Sequence, residues 1–357
     1  MTETGGREHV RKPGKALLRI AAGCLLLITA TGAHAAVPQG IDGPINLLLV
    51  GIDPRGTHTI PLADSIIVAH IPADRDGAYL FSLPRDLVVR IPAFAPSGTA
   101  AERRKINAAM ALGSVTPGRD PSAEQGYELL SRTVGQVTGI AKFDAGAVVT
   151  FGGFTKIVGA LGGIRMAIDQ DVVSEHRRPD GTARDRLPEC RGDHNCLRPY
   201  TGPQKIYPKS DKPVRLEPWE ALDFLRQRYG LPRSDYDRQR HQRQFLTAVA
   251  KKLRKHPEKL ASVISAAGKD LTFLGGGHTA AAWAAELKDI RITEVRSIDL
   301  PGSALFERGK YLGEKLPPAT GRFFTAVAQD RVASFLIDHP GVVTVDGWPP
   351  RPRPQRP

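Results

Sequence analysis

Cysteine is scarce in this chain, with three in 357 residues. A zinc site built on the one close pair, Cys190 and Cys196, needs two further ligands nearby, and His194 is the single obvious candidate. Zinc-finger, RRM and KH patterns are absent, as is any internal repeat, so the sequence offers none of the common nucleic-acid modules. Acidic residues are outnumbered, 37 Asp and Glu against 50 Lys and Arg, giving a net charge of +13 and a sequence pI near 9.8. That balance favours anionic partners: nucleic acid, a phospholipid surface or an anionic polymer. What is present is ordinary for a folded protein, 41% hydrophobic and 24% charged, in a length that holds one large domain or two smaller ones.

The N-terminus narrows the choice. Basic residues 1–19 precede "IAAGCLLLITATGAHAAV" (20–37), about 18 largely apolar residues. Two readings fit, an uncleaved single-pass signal anchor or a signal peptide cut near "AHA" (33–35) with the rest secreted; the length of the stretch favours the anchor. A lipobox reading of Cys24 fails because most of the apolar run follows the cysteine. Either main reading puts the chain from about residue 38 outside the cytoplasm. There a close Cys190/Cys196 pair favours a disulfide pinning a Pro/Gly-rich insertion, and nucleic acid is not an expected partner.

Three strands come first. "PINLLLVGID" (44–53) is a short apolar run ending in a carboxylate, "DSIIVAHI" (64–71) repeats the pattern, and "GAYLFSLPRD" (77–86) closes on Pro-Arg-Asp. "KINAAMALG" (105–113) follows a proline-broken loop. Tyr127, Leu130, Val134 and Val137 give 122–139 one helical face, and 145–169 reads as strand, small-residue helix, "GG" turn and strand. Buried strands alternating with helices predict an α/β sheet covered on both sides. Residues 175–215 read as an ordered insertion or loop, "KLASVISAAG" and "TAAAWAAELKDI" as helices, and "EVRSIDLPG" as a last strand; residues 336–357 are expected to form a Pro/Arg-rich tail.

Six arginines crowd residues 225–246, "LRQRYGLPRSDYDRQRHQRQFL". Pro218 suits a helix start, and Arg226 and Arg228 sit at that helix's C-terminal end beside the Gly230/Pro232 break. Two residues apart they diverge by about 200° on a helix, so they converge only if the helix ends between them. A second helix is expected from Asp235–Asp237, whose carboxylates suit an N-terminus. On its wheel Arg238, His241, Gln242, Phe245 and Val249 share a stripe that becomes core, whereas Arg240 and Arg243 point away and are expected, with Arg233, to be solvated. A buried Arg238 must be paired or face a cleft. Two readings stay open: a structural pair with Asp235, or convergence of Arg226, Arg228 and Arg238 on phosphate oxygens.

The ordered pieces "NLLLVGIDPRG", "ADSIIVAHI", "LFSLPRDLVVRIP", "KINAAMALG", "FGGFTKIVGALGGI" and the arginine segment resemble the LytR-CpsA-Psr (LCP) family across residues 46–246. The resemblance implies a three-layer α/β/α domain over 41–335 with a central mixed β-sheet and an apolar lipid tunnel. It also implies a membrane-anchored extracellular phosphotransferase that moves an anionic glycopolymer, teichoic acid for example, from a polyprenyl-pyrophosphate carrier to peptidoglycan, with Mg²⁺ (or Mn²⁺) beside the pyrophosphate. By position, Asp53 and Asp64 match the metal-associated carboxylates, and Arg55, Arg85, Arg226, Arg228, Arg238 and Gln242 the pyrophosphate contacts. Arg85, Arg226, Arg228, Arg238 and Asp235 are the candidate catalytic residues, Asp235 matching the carboxylate of an Asp-x-x-Arg element. Arg90, Lys105 and Asn107 lie in matching segments, and Asp86 equally suits a structural partner for an arginine. Three features depart from the pattern: "TIPLADS" lacks an arginine before its aspartate, His241 stands where arginine is common, and the cysteine-bearing insertion is not general.

Phosphoryl transfer needs alignment and charge stabilisation more than covalent help, so arginines with a divalent cation suffice. Two rivals share the resemblance: a polyprenyl-pyrophosphate pyrophosphatase, and a non-catalytic protein that binds polyprenyl phosphate or wall polymer.

Overall fold

A computed structural model describes residues 43–54, 59–190, 196, 198–280, 282–283 and 295–346. The expected N-terminal basic segment, the apolar stretch 20–37, His194 and the tail from 347 lie outside them. No helix among the described residues is long and apolar enough to cross a membrane.

The first half of the chain supplies β1 (Ile45–Ile52), β2 (Ala63–Ile71), β3 (Ala78–Ser82), the hairpin β4 (Val88–Ile91) with β5 (Glu102–Lys105), α1 (Ala108–Ser114), α2 (Ala123–Thr138), β6 (Ala145–Thr150), α3 (Phe151–Ala160) and β7 (Ile164–Ile168). Next come four two-residue strands, β8 (Val172–Val173), β9 (Asp185–Arg186), β10 (Tyr200–Thr201) and β11 (Ile206–Tyr207), then β12 (Ser210–Leu216), α4 (Pro218–Arg226), α5 (Asp235–Lys255) and α6 (Lys259–Ala267). The C-terminal part holds β13 (Leu271–Leu274), β14 (Val295–Asp299), the hairpin β15 (Ser303–Glu307) with β16 (Lys310–Lys315), α7 (Thr320–Ala328), α8 (Val332–Asp338) and β17 (Thr344–Val345).

Seven strands form one mixed sheet in the order β13-β6-β1-β2-β3-β14-β17. β1 is central, antiparallel to β2 and parallel to β6; β14 is parallel to β3. Strand alternation sends Leu48 and Val50 of β1, Val68 of β2 and Phe81 of β3 to one face, where they pack with Leu129, Val134 of α2 and Phe323 of α7. The opposite face lies under α3 and α5. A second apolar cluster there joins Val158, Ile164, Leu216, Phe224 and Phe245, from α3, β7, β12, α4 and α5. The sheet thus has helices on both sides, the α/β/α arrangement expected.

Two expectations need amending. The segment from 175 to 215 is organised by short ladders, β8 with β11 and β9 with β10, and its last residues enter β12, which pairs with β7. The fold also runs past 335, since α8 continues to Asp338 and β17 pairs with β14 at the sheet edge.

Candidate active site

The carboxyl ends of β1 and β6, the start of β2 and the loop after β3 meet at one end of the sheet. Asp53 follows directly on β1. In the β1–β2 ladder Gly51 pairs with Ser65 and Ile52 with Ala63, which leaves Asp64 as the extra residue of a β-bulge. A bulge turns a side chain out of the ladder, and Asp64 uses this twice. Its carboxylate forms an ion pair with Arg85 from the loop after β3, and its carbonyl accepts a hydrogen bond from Arg238 Nη2 at 3.0 Å. Gly51 permits the close approach here, because a Cβ at that position would stand 3.1 Å from Ser65 Cβ.

α4 and α5 bring the arginines. Pro218 opens α4, and Glu220 Oε2 accepts from the Glu217 N–H at 3.0 Å, closing the first turn. The helix ends at Arg226, and the extended Gln227 (ψ 139) carries Arg228 off the helix axis, which is the break that convergence requires. The Arg226 guanidinium lies 4.5 Å from the centre of the Phe151 ring at the start of α3, with Nη2 3.9 Å from Asp53 Oδ2. α5 begins at Asp235, with Asp235 and Asp237 in its first turn, where carboxylates favour the positive end of the helix dipole. Arg238 is buried and pairs with Asp235 at 2.8 Å. One turn on, Gln242 Oε1 accepts from Ser65 Oγ at 2.8 Å, tying α5 to the bulge.

Electrostatics confirm the crowding. Burial lowers the Arg85 guanidinium, but Asp64, Asp86 and Asp235 outweigh it and hold it above its ordinary value. Arg238 is pushed down by burial, against Asp235 and with the like charges of Arg85 and Arg228. The Nε atoms of Arg85 and Arg238 are buried without a hydrogen-bond partner among the described residues. Buried donors of that kind are costly to leave unmade.

The structure brings Asp53, Asp64, Arg85, Arg226, Asp235, Arg238 and Gln242 together at one end of the sheet. Arg228 acts on both Arg238 and His176 by charge. Arg55 lies outside the described residues. Arg238 makes the structural pair with Asp235, and the same guanidinium reaches the backbone of the bulge at Asp64. Asp86 has a structural pair at 3.2 Å, with Lys105 and not with the arginine expected. Cys190 and Cys196 are joined, Cα atoms 5.6 Å apart.

One expectation was wrong. Arg243 is not solvated but 1% exposed at its side chain, donating to Ser297 Oγ at 2.8 Å and Ser82 Oγ at 3.0 Å and ion-paired to Asp299. Arg233 also has partners, Asp237 at 3.0 Å and Asp299 at 2.9 Å, and Arg240 contacts Asp169 at 2.9 Å. His241 is buried, its ring stacked 4.6 Å from that of Phe224 and its Nε2 3.3 Å from the Asp169 carboxylate.

Three contributors escaped the sequence reading. Ser65 and Phe151 stand inside matching segments, but only the folded contacts reveal them. The third is the insertion. Asp223 of α4 is buried, its carboxylate accepting from Ser174 Oγ at 3.0 Å, Tyr207 OH at 2.9 Å and Gln227 Nε2 at 2.8 Å, while the Glu175 N–H donates to Gln227 Oε1 at 2.9 Å. Burial and the charges of Arg226, Arg177 and Arg228 hold the nearby His176 at about 4.

Asp169 yields a separate prediction. Burial raises its carboxyl, yet hydrogen bonds from His241 and Gln244 with the charges of His241 and Arg240 bring it down to about 2. A depressed carboxylate stabilises the fold above its unfolded value and loses that contribution as pH falls toward its folded value. Asp169→Asn is expected to lose on the order of 1–2 kcal/mol at pH 7, a figure discounted for part exposure. The gap from wild type should close as pH falls from about 5 to about 2, read by urea denaturation at each pH.

The chain resembles known proteins in sequence and in fold. It is 27% identical over 209 residues to the polyisoprenyl-teichoic acid–peptidoglycan teichoic acid transferase TagU of Bacillus cereus, covering 58% of this chain and 52% of that one. It is 24% identical over 238 residues to biofilm regulatory protein A of Streptococcus mutans, covering 64% and 50%. It spans about half the length of these curated relatives. The crystal structure of protein gbs0355 from Streptococcus agalactiae superposes with a TM-score of 0.61 at 19% identity, over 81% of this chain and 88% of that one, a likeness of fold. The model of the LytR_cpsA_psr family matches residues 29–320, a span that takes in the bulge at Asp64, both arginine-bearing helices and the whole sheet as far as β14, so the chain belongs to that family.

Proposed function

We propose that the protein is a phosphotransferase that moves an anionic glycopolymer from a polyprenyl-pyrophosphate carrier to peptidoglycan at the outer face of the cell membrane. The observation that carries this reading is the convergence of Arg85, Arg226 and Arg238 on the Asp53/Asp64 end of the sheet. The named activity of the Bacillus cereus relative supports it. An acceptor sugar hydroxyl attacks the phosphorus next to the polymer; the new P–O bond forms as the bond to polyprenyl phosphate breaks. The arginines align the phosphates and bind the charge that builds on their oxygens. Asp235, held by Arg238, takes the hydroxyl proton.

The donor set fits Mg²⁺ or Mn²⁺. Two carboxylates on neighbouring strand ends, with substrate phosphate oxygens and water completing the shell, are what a hard divalent ion of this size uses. Asp53 and Asp64 would hold the ion, which would add positive charge beside the pyrophosphate. For the carrier's hydrocarbon chain, the sheet face under α3 and α5 offers Leu47 and Leu49 of β1, both only partly buried although β1 is central.

The test incubates the full chain with a synthetic polyprenyl-pyrophosphate glycan, Mg²⁺ and a peptidoglycan oligomer. Glycan should appear on the oligomer and fail to appear with Asp64→Ala. Phosphate release without transfer would make the protein a pyrophosphatase, and carrier binding without either would make it a binding protein.

A further inference from the structure

The strands parallel to β1 all begin at one end of the molecule. Ile45 of β1, Ala78 of β3, Ala145 of β6 and Val295 of β14 are packed together there. α5 runs in the opposite sense. Its first turns touch the bulge at Asp64, whereas Lys252 near its end donates to the Gly163 carbonyl at 2.8 Å, just before β7. The 17 residues from Arg238 to Lys255 correspond to about 25 Å of helix, so the arginine site and the end of α5 occupy opposite ends of the domain.

That far end is basic. Lys251, Lys252 and Lys255 of α5 and Lys259 of α6 gather with Arg165 of β7 and Arg215 of β12; an open cleft of about 670 Å³ runs beside them between β7 and β14. Burial, with Lys259, Arg215 and Arg165, lowers Lys252. The facing carboxylates are mostly engaged: Glu217 is paired to Arg215 at 2.7 Å, Glu258 contacts His256 at 3.2 Å, and of the two that line the cleft, Asp169 and Asp346, the first is paired to Arg240 at 2.9 Å. Lys251, Lys255 and Arg165 are exposed.

The chain enters the fold at this end. Residue 43 is the first described, and five residues, 38–42, separate it from the apolar stretch 20–37. Five residues span at most about 18 Å, so a bilayer holding that stretch stands close to the start of β1. We propose that the basic end of α5, with Lys259 and Arg165, docks on anionic phospholipid headgroups and holds the arginine site about 25 Å above them. The inference does not depend on the transferase reading.

The test places the full chain in nanodiscs of phosphatidylcholine alone or with phosphatidylglycerol and measures acetylation of each lysine by acetic anhydride with mass spectrometry. A surface potential of about −30 mV enriches protons about threefold, so Lys251 and Lys255 should react about threefold or more slowly on the anionic discs. Exposed Lys310, on β16 near the arginine site, should not change, and about 0.5 M NaCl should erase the difference. In the variant K251E/K255E, Lys259 should lose its slowing. Equal rates for Lys251 and Lys255 on both discs would overturn the proposal, and if soluble polyphosphate slowed them on phosphatidylcholine discs in that case, the patch would belong to an anionic polymer. Because transfer is read in a separate assay, that failure leaves the transferase reading standing.

Discussion

Arg226→Ala should lower the kcat of glycan transfer about 10²–10³-fold, the loss typical when one oriented donor to a transition-state oxyanion is removed. Little else should change. The Arg226 side chain is 36% exposed, and its contacts are the Phe151 ring and a 3.9 Å approach to Asp53, so its removal leaves no buried group unpaired. Melting temperature is therefore expected to stay within about 2 °C of wild type, since exposed substitutions cost little. Arg226→Lys should recover part of the rate, because an ammonium restores charge without the forked geometry. Arg238→Ala gives the contrast. It removes a buried cation and strands Asp235, so rate and stability should fall together. Steady-state transfer with thermal melting on the three variants separates these cases; an Arg226→Ala enzyme with unchanged kcat would remove the arginine from the phosphate grip.

The largest stability loss is expected at a residue with no part in the chemistry. Arg243→Ala should cost about 3–5 kcal/mol, read as a lower urea midpoint, because breaking a buried pair leaves its partners unsatisfied. Ser82 and Ser297, both buried, lose their donor, and Asp299 loses one of its two arginines. Arg233 still reaches Asp299 at 2.9 Å, which places the loss at the lower end of that range. Arg243→Met keeps the aliphatic stem and should recover part of the packing but not the hydrogen bonds. A neutral Arg243→Ala would mean that the buried network is replaced by water at no cost.

Arg243 also marks where the sequence stopped being legible. The wheel identified the stripe of Arg238, His241 and Phe245 because apolar spacing reports a helix's main buried face. α5 has a second buried side against β3 and β14, and its lining is polar: Ser82, Ser297 and Asp299 carry no apolar signal and lie far along the chain. The positions of Asp53 after an apolar run and of Asp235 in the first turn of a helix were legible from local rules, whereas the grouping of these carboxylates and arginines into one site came from the resemblance to the family. The bulge that aims Asp64 was not legible, since a bulge is a property of two paired strands. The same reason hid β13, β17 and the β15–β16 hairpin, which are short and whose pairing is decided by neighbours rather than by their own residues.

The network behind Asp223 gives the insertion a mechanical part. Ser174, Glu175 and Tyr207 grip Asp223, three residues before Arg226, and Gln227, which lies between Arg226 and Arg228. A change in the insertion is therefore transmitted through the backbone of the α4 terminus to where these two guanidinium groups sit, with no contact between the altered residue and any ligand. Divergence in that segment acts on the site as adjustment of a mount acts on an instrument: the parts stay the same, and their aim moves.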